Sequence, residues 1–200
     1  TKSEMQRVPQ SWLLDFSKKP KWSYVMGIEL ESMLDTYLRY GDESILDYCK
    51  SYTDTMIGAD GSIRGYNLLD YNLDNVRTGH FVAAMHENFP EDKNLAAIKT
   101  LQQQLDKQPR TKEGVYWHKA IYAYQVWLDG IFMGLPFRVK TAHMLPAKKQ
   151  KAIYDDAVDQ LTKTYERTLD ASTGLNRHAW DENRDMFWSN DITGLSQHCW

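Results

Sequence analysis

A series of paired helical segments is the sequence feature that most constrains the fold of this chain. Apolar residues recur at helical spacing up to Tyr40, and Gly41 then ends the first segment. Asp42 suits the N-cap of the second segment, so a tight turn joins two antiparallel helices. The six predicted helices cover residues 22–40, 43–57, 76–89 and 92–108, a segment that begins with 128–134, and residues 147–169.

The loops between these segments differ greatly in length. Those before the third and fifth helices and after the sixth are long and rich in Asp, His, Trp and Tyr, whereas a simple bundle uses short loops at both ends. Helical hairpins that bend into a ring place such loops around a common mouth. We therefore predict an all-α fold, an α/α toroid, with about half of a twelve-helix ring present. The 200 residues, 42% of them apolar, suit one domain with a sizeable core.

Charge and composition exclude several partners. The net charge is −3 and the 24 Lys and Arg residues are scattered, so we expect neither nucleic-acid binding nor attachment to an anionic membrane. No apolar run approaches the roughly 20 residues that span a bilayer. Two cysteines, Cys49 and Cys199, are too few for a disulfide framework, and we predict unpaired thiols with Cys49 buried on a helix.

The start of the sequence bears on localisation. Thr1 is not an initiator Met, so a leader could have been removed before it. We expect a periplasmic or secreted protein, with a cytoplasmic location as the alternative. The sequence indicates no oligomeric state.

Motifs for metal and nucleotide chemistry are missing from the sequence. It contains no HExxH, no CxxC and no His pair at i, i+4, and His80 and His86 are six residues apart. It also contains no GxSxG, Walker loop or GxGxxG. We therefore expect no metal and no cofactor.

Aromatic residues beside acids and imidazoles indicate a carbohydrate site. Aromatic rings stack on the apolar faces of sugars, while carboxylates and imidazoles bind hydroxyl groups. The chain has 7 Trp and 12 Tyr, and several lie next to Asp or His. The clusters are Trp22 with Tyr24, Tyr71 with Asp74, Tyr116 to His118, Trp127 with Asp129, and His178 to Glu182.

Asp129 is the strongest candidate for an acid catalyst. Trp127, Leu128 and Ile131 flank it, and a poorly solvated carboxyl has a raised pKa that suits a general acid. The alternative is an Asp at a helix N-terminus, where backbone N–H groups would lower the pKa. Asp74 is likewise either a second active-site carboxylate, placed opposite Asp129, or a cap of the third helix. The local sequence around Asp129 or Asp74 alone does not distinguish an active-site carboxyl from a residue at a helix N-terminus.

Several segments, in order along nearly the whole chain, resemble one enzyme family. They are WSYVMG at 22–27, YNLDNVRTG at 71–79, YWHKAIYAYQVWLDGIFMG at 116–134, GLNRHAWDE at 174–182 and WSNDITGLSQHCW at 188–200. WLDGIFMG and HAWDE are the specific ones. The chain is similar to the unsaturated rhamnogalacturonyl hydrolases, glycoside hydrolase family 105, and more distantly to the unsaturated glucuronyl hydrolases of family 88.

The resemblance implies an (α/α)6 barrel and a hydration reaction. Such enzymes act on lyase-generated oligosaccharides that end in a 4,5-unsaturated uronic acid, here galacturonyl linked to rhamnose, and they hydrate its C4=C5 bond. Asp129 matches the catalytic acid and base, and Asp74 matches the second carboxylate. The matched substrate-binding residues are Tyr24, His118, His178 and Trp200. The alternatives are a glucuronyl substrate with the same mechanism, or a catalytically silent sugar-binding protein.

The sequence departs from the family pattern at its end. In the family a Gly-Arg and then an Asn-Gly-Trp element follow the Trp that matches Trp200. In the family, these elements supply an Arg that binds the substrate carboxylate. No residue of this sequence is assigned to that role. We therefore expect residues 1–200 to be the N-terminal part of a barrel hydrolase, either the first part of a longer protein or a fragment.

Overall fold

The computed structural model describes residues 1–199, so the prediction for Trp200 lies outside the described residues. The chain divides into two compact units, one of residues 1–68 and 74–103 and the other of residues 69–73 and 104 onward. The helices are α1 Lys2–Arg7, α2 Tyr24–Tyr40, α3 Glu43–Met56, α4 Asp74–Asn88, α5 Asp92–Lys107, α6 Leu128–Lys140 and α7 Ala147–Thr168. The strands are β1 Gln125–Trp127, β2 Leu169–Asp170, β3 Leu175–Asn176 and β4 Ala179–Asp181.

Local signals end and begin the helices of the first unit. Gly41 adopts φ 71°, and its N–H donates to the carbonyl of Tyr37, which closes the last turn of α2. Asp42 then accepts the backbone N–H of Ser44 and so caps α3. Both features were predicted, and both are confirmed.

Helices α2 and α4 pack so closely that a side chain is excluded between them. A Cβ atom on Gly27 would lie 2.5 Å from the Cα of Thr78. The Thr78 hydroxyl donates to the carbonyl of Ser23 at 2.7 Å, and the Trp22 indole donates to the carbonyl of Asn75 at 2.8 Å. The N-terminal ends of α2 and α4 therefore meet, which brings Tyr24 close to the start of α4.

The core of the first unit is built from aromatic and aliphatic side chains. Trp22 stacks on Tyr52 at 6.3 Å, and Phe81 meets Tyr52 edge-on at 6.0 Å. Cys49 is fully buried and unpaired, as predicted, and burial raises the pKa of its thiol to about 12. Its thiol is therefore a packing group.

Short antiparallel ladders organise the second unit. Strand β1 pairs with β4 in the register Gln125 to Asp181 and Trp127 to Ala179, and β2 pairs with β3. Helix α6 follows β1 directly, and α7 packs against α6. The start of α6 is therefore fixed by strand pairing.

An ion pair ties the segment that precedes His118 to helix α7. Arg110 binds Asp156 through two hydrogen bonds of 2.5 and 2.9 Å and also donates to the carbonyl of Gly114. Gln160 donates to Asp156 and accepts the backbone N–H of Tyr116. Burial alone would raise the pKa of Asp156, but its hydrogen bonds with Arg110 outweigh this, and the pKa lies below its ordinary value.

We expect Asp156→Asn to destabilise the protein by about 1 kcal/mol at pH 7, because a partly exposed bidentate pair is lost. Since the folded-state pKa of Asp156 is lowered, its contribution is present above about pH 4 and is lost as the pH falls through the folded value. Denaturant unfolding of both proteins measures the free energy of unfolding. The difference between wild type and Asp156→Asn should be smaller at pH 3 than at pH 7. Asp155→Asn, in an exposed pair with Lys151, is the control with almost no effect. A difference that is the same at both pH values would contradict this role.

All six predicted helices are present, and the described residues also contain α1 and four short strands that were not predicted. The helical spacing of five apolar residues on α7 predicts that they face inward, namely Ile153, Ala157, Val158, Leu161 and Tyr165. The prediction is confirmed for the buried Ile153 and Ala157. It is wrong for Val158, Leu161 and Tyr165, whose side chains are 64%, 52% and 55% exposed. The row of apolar side chains along α7 is therefore wider than the part of the helix surface that contacts α6.

No helix within residues 1–199 is long and apolar enough to cross a membrane. The single-domain organisation stays a prediction.

Candidate active site

The β1–β4 ladder joins the two most specific sequence motifs. Trp127 ends β1 opposite Ala179, the first residue of β4. The next residue, Leu128, donates its N–H to the carbonyl of His178 at 2.9 Å. Asp129 follows in the first turn of α6. The motifs WLDG and HAWDE lie about 50 residues apart in the sequence, but they are neighbours in the structure.

Asp129 lies at the N-terminal end of α6 with its side chain partly open to solvent. Its Oδ1 accepts the N–H of Gly130 at 2.8 Å, and its side chain is 25% exposed. The N-cap position itself belongs to Trp127, which makes no side-chain capping bond. Asp129 is therefore accessible to a substrate, and its Oδ1 is held by the backbone at the start of α6. The role of Asp129 as an acid catalyst stays a prediction.

His118 is the imidazole beside this carboxylate. Its Nδ1 lies 4.0 Å from Oδ1 of Asp129, and the residue is 2% exposed. The backbone N–H of His118 donates to the carbonyl of Gln125, and the backbone carbonyl of His118 accepts the N–H of Leu73. Both ends of the residue are therefore held by backbone hydrogen bonds, which leave the imidazole little freedom to shift.

Gly130 permits the close approach of His118. A Cβ atom at this position would lie 2.3 Å from the His118 Nδ1, far inside normal contact distance. The requirement is steric, since Gly130 is not among the residues with positive φ. The G of WLDG is therefore needed for the geometry of the site, a role that the sequence did not reveal.

Parallel rings hold the imidazole in place. His118 stacks on Trp127 at 4.7 Å with an angle of 4° between the rings, and Tyr122 stacks on Trp127 at 5.2 Å and 6°. The Trp127 indole donates to Oε1 of Gln125, and His178 meets its edge at 5.5 Å. The structure thus brings together three of the predicted site residues, His118, Asp129 and His178.

Asp74 and Tyr24 lie in the first unit, at the starts of two packed helices. Asp74 is the first residue of α4, and Tyr24 is the first residue of α2. Tyr24 is 42% exposed, and Asp74 is half-buried. The meeting of the two helix ends places both residues at the same end of this unit. That Asp74 lies opposite Asp129 stays a prediction.

Asp181 organises the loop after β4, and sequence reasoning gave it no role. The residue is fully buried, and its carboxylate accepts the N–H groups of Asn183, Asp185 and Met186 at 2.8 to 3.1 Å. These bonds fix the loop that carries Trp188. An Asp followed by polar turn residues is the signal that could have indicated it.

The described residues include no cluster suited to a metal. Nowhere within 1–199 do three His, Cys, Asp or Glu side chains lie together so that they could hold an ion.

Comparison with known proteins gives consistent matches. The model of Glycosyl Hydrolase Family 88 matches residues 1–200. A glycoside hydrolase from family 105 of C. acetobutylicum ATCC 824 is 36% identical with a TM-score of 0.85, and the match covers 94% of this chain and 52% of that one. A glycosyl hydrolase of family 88 from Bacteroides vulgatus is 17% identical with a TM-score of 0.59, covering 98% and 53%. The chain thus spans about half the length of these structures, and the predicted helical-ring fold class is confirmed.

Proposed function

Because the chain belongs to Glycosyl Hydrolase Family 88, we propose that the protein hydrolyses oligosaccharides whose non-reducing end is a 4,5-unsaturated uronic acid. The observation that supports this most directly is the assembly of Asp129, His118 and His178 around the indole of Trp127. A carboxyl group beside imidazoles and stacked aromatic rings suits a sugar that must be both bound and protonated. More specifically, we propose that the substrate is an unsaturated galacturonyl unit linked to rhamnose, and this is called the finer proposal below.

The proposed reaction adds one water molecule across the C4=C5 bond. Asp129 in its acid form transfers its proton to C4, and positive charge develops at C5, shared with the ring oxygen. Water attacks C5 and gives a proton back to the Asp129 carboxylate, which restores the acid. The resulting hemiketal opens to a ketone at C5, and the hemiacetal left at C1 collapses and releases the second sugar.

The surroundings of Asp129 suit both halves of this cycle. The N–H of Gly130 binds Oδ1, so the proton to be transferred resides on Oδ2. The imidazole of His118, 4.0 Å from Oδ1, can bind a sugar hydroxyl or the attacking water beside the carboxylate. His178 would bind the same sugar from the other side of Trp127.

The test follows the loss of ultraviolet absorbance of the conjugated C=C bond with the intact protein. Unsaturated galacturonyl-rhamnose and an unsaturated glucuronyl disaccharide are supplied separately at equal concentrations. Faster loss with the first supports the finer proposal, and faster loss with the second supports the glucuronyl alternative. If neither disaccharide loses absorbance, both enzyme proposals fail and a sugar-binding protein without activity is favoured.

A further inference from the structure

The rings of His118, Trp127 and Tyr122 are parallel, and their spacing shows how they are arranged. The Trp127 indole lies 4.7 Å from the His118 ring and 5.2 Å from the Tyr122 ring, while His118 and Tyr122 are 6.2 Å apart. Stacked planes lie at least about 3.5 Å apart, so two rings on opposite faces of an indole are separated by at least about 7 Å. The observed 6.2 Å is shorter. His118 and Tyr122 therefore lie side by side on the same face of Trp127.

Hydrogen bonds hold the backbone on both sides of Tyr122. The Tyr122 N–H donates to the carbonyl of Lys119 at 3.0 Å, and the Tyr122 carbonyl accepts the N–H of Gln125 at 3.2 Å. The N–H of Ala120 donates to the carbonyl of Asp70 at 3.1 Å, which attaches the turn to the segment before α4. The ammonium group of Lys119 also lies 5.5 Å from the centre of the Tyr122 ring, where a cation attracts the aromatic face. The turn therefore presents the Tyr122 ring to the indole in a fixed place.

The imidazole of His118 has few ways to move, and Tyr122 limits one of them. The backbone of His118 is held at its N–H and at its carbonyl. The indole of Trp127 covers one face of the imidazole, and the close approach of Gly130 bounds it at Nδ1. A slide across the indole, in the plane of the imidazole, remains, and the Tyr122 ring occupies the neighbouring part of that indole face. Without this ring, the imidazole would be able to slide and change its 4.0 Å distance from Asp129.

From this arrangement we infer that Tyr122 is a positioning residue, whose flat ring holds the His118 imidazole beside the Asp129 carboxylate. The ring makes the contact, so the phenolic hydroxyl is not needed for this role. Misplacing a catalytic group by about 1 Å can cost a hundredfold in rate, so a smaller shift of the imidazole is still measurable. The inference rests on the proposed function, because that function gives the imidazole and the carboxylate their task.

Tyr122→Leu tests this role, because leucine keeps an apolar side chain on the indole but has no flat ring. We expect kcat on an unsaturated uronide to fall about tenfold. Tyr122→Phe keeps the ring and should retain the wild-type kcat. Ile121→Ala, in the same turn and with a residue that is 78% exposed, is the matched control without effect. A wild-type kcat in Tyr122→Leu, or an equal loss in Tyr122→Phe, would overturn the inference.

A double-mutant cycle shows whether the loss passes through the imidazole. In a His118→Ala background, Tyr122→Leu should lower kcat by less than about twofold, because the group that it positions is gone. Thermal unfolding checks the fold of each variant, and Tyr122→Met is judged by the same criteria if Tyr122→Leu is unfolded. A full tenfold loss in the His118→Ala background would refute a role through His118.

An NMR measurement on the free protein covers the case in which the wild type consumes no unsaturated uronide. The proposed function then fails, and positioning is judged from the Cε1–H signal of His118, which the ring current of Trp127 shifts at a centroid distance of 4.7 Å. The signal is identified by its absence in His118→Ala. We expect it to move towards the shift of an unstacked imidazole in Tyr122→Leu and to stay in place in Tyr122→Phe. An unchanged signal in Tyr122→Leu would show that Tyr122 does not hold the imidazole.

Discussion

Asp129→Asn should lower kcat on an unsaturated uronide about a thousandfold while leaving the fold intact. The amide has the size of the carboxyl and can still accept the N–H of Gly130, so the start of α6 is kept. It cannot transfer a proton to C4 or take one from water, and both halves of the proposed cycle need that group. Initial rates from the loss of C=C absorbance measure the effect, and thermal unfolding checks the fold.

The control for this prediction is a carboxylate of the same unit outside the site. Asp159 forms an exposed pair with Lys163 on α7, at 2.6 Å. Asp159→Asn removes the same charge and should leave kcat unchanged. If Asp129→Asn kept more than about a tenth of the wild-type rate, Asp129 would not be the acid and base.

Gly130→Ala should lower kcat between tenfold and a hundredfold, although the new methyl group touches no substrate. The added carbon would lie 2.3 Å from Nδ1 of His118, so one of the two must move. Because Trp127 stacking and two backbone hydrogen bonds hold His118, the movement alters the distance between the imidazole and Asp129. Misplacing a catalytic group by about 1 Å can cost a hundredfold in rate.

A double-mutant cycle separates this steric effect from a change in helix stability. In a His118→Ala background the clash disappears, so adding Gly130→Ala should change kcat very little. Gly134→Ala on the same helix is the matched control, because its Cβ would meet the flexible ends of the Leu73 and Leu105 side chains, at 3.1 Å and 3.6 Å. Strictly additive effects of the two substitutions on log kcat would show that Gly130 does not act through His118.

Much of the helical framework could be predicted because its signals are local. Gly41 ends α2 and Asp42 caps α3 through contacts within a few residues, and such contacts are visible in the sequence. Strands β1 and β4 were missed because three residues are too few to show an alternating pattern. The inward face of α7 was misjudged because Leu161 is apolar and correctly spaced, yet only tertiary packing decides which part of a stripe is covered.

The candidate site shows the same division between local and long-range information. The sequence by itself determined that Asp129 lies near a helix start among aromatic residues, because helix periodicity and neighbouring residue types are properties of one segment. Only the tertiary structure decided that His178 adjoins that helix start and that His118 lies against Gly130. Those contacts depend on hydrogen-bond register and close packing between segments far apart in the chain, which no local pattern encodes.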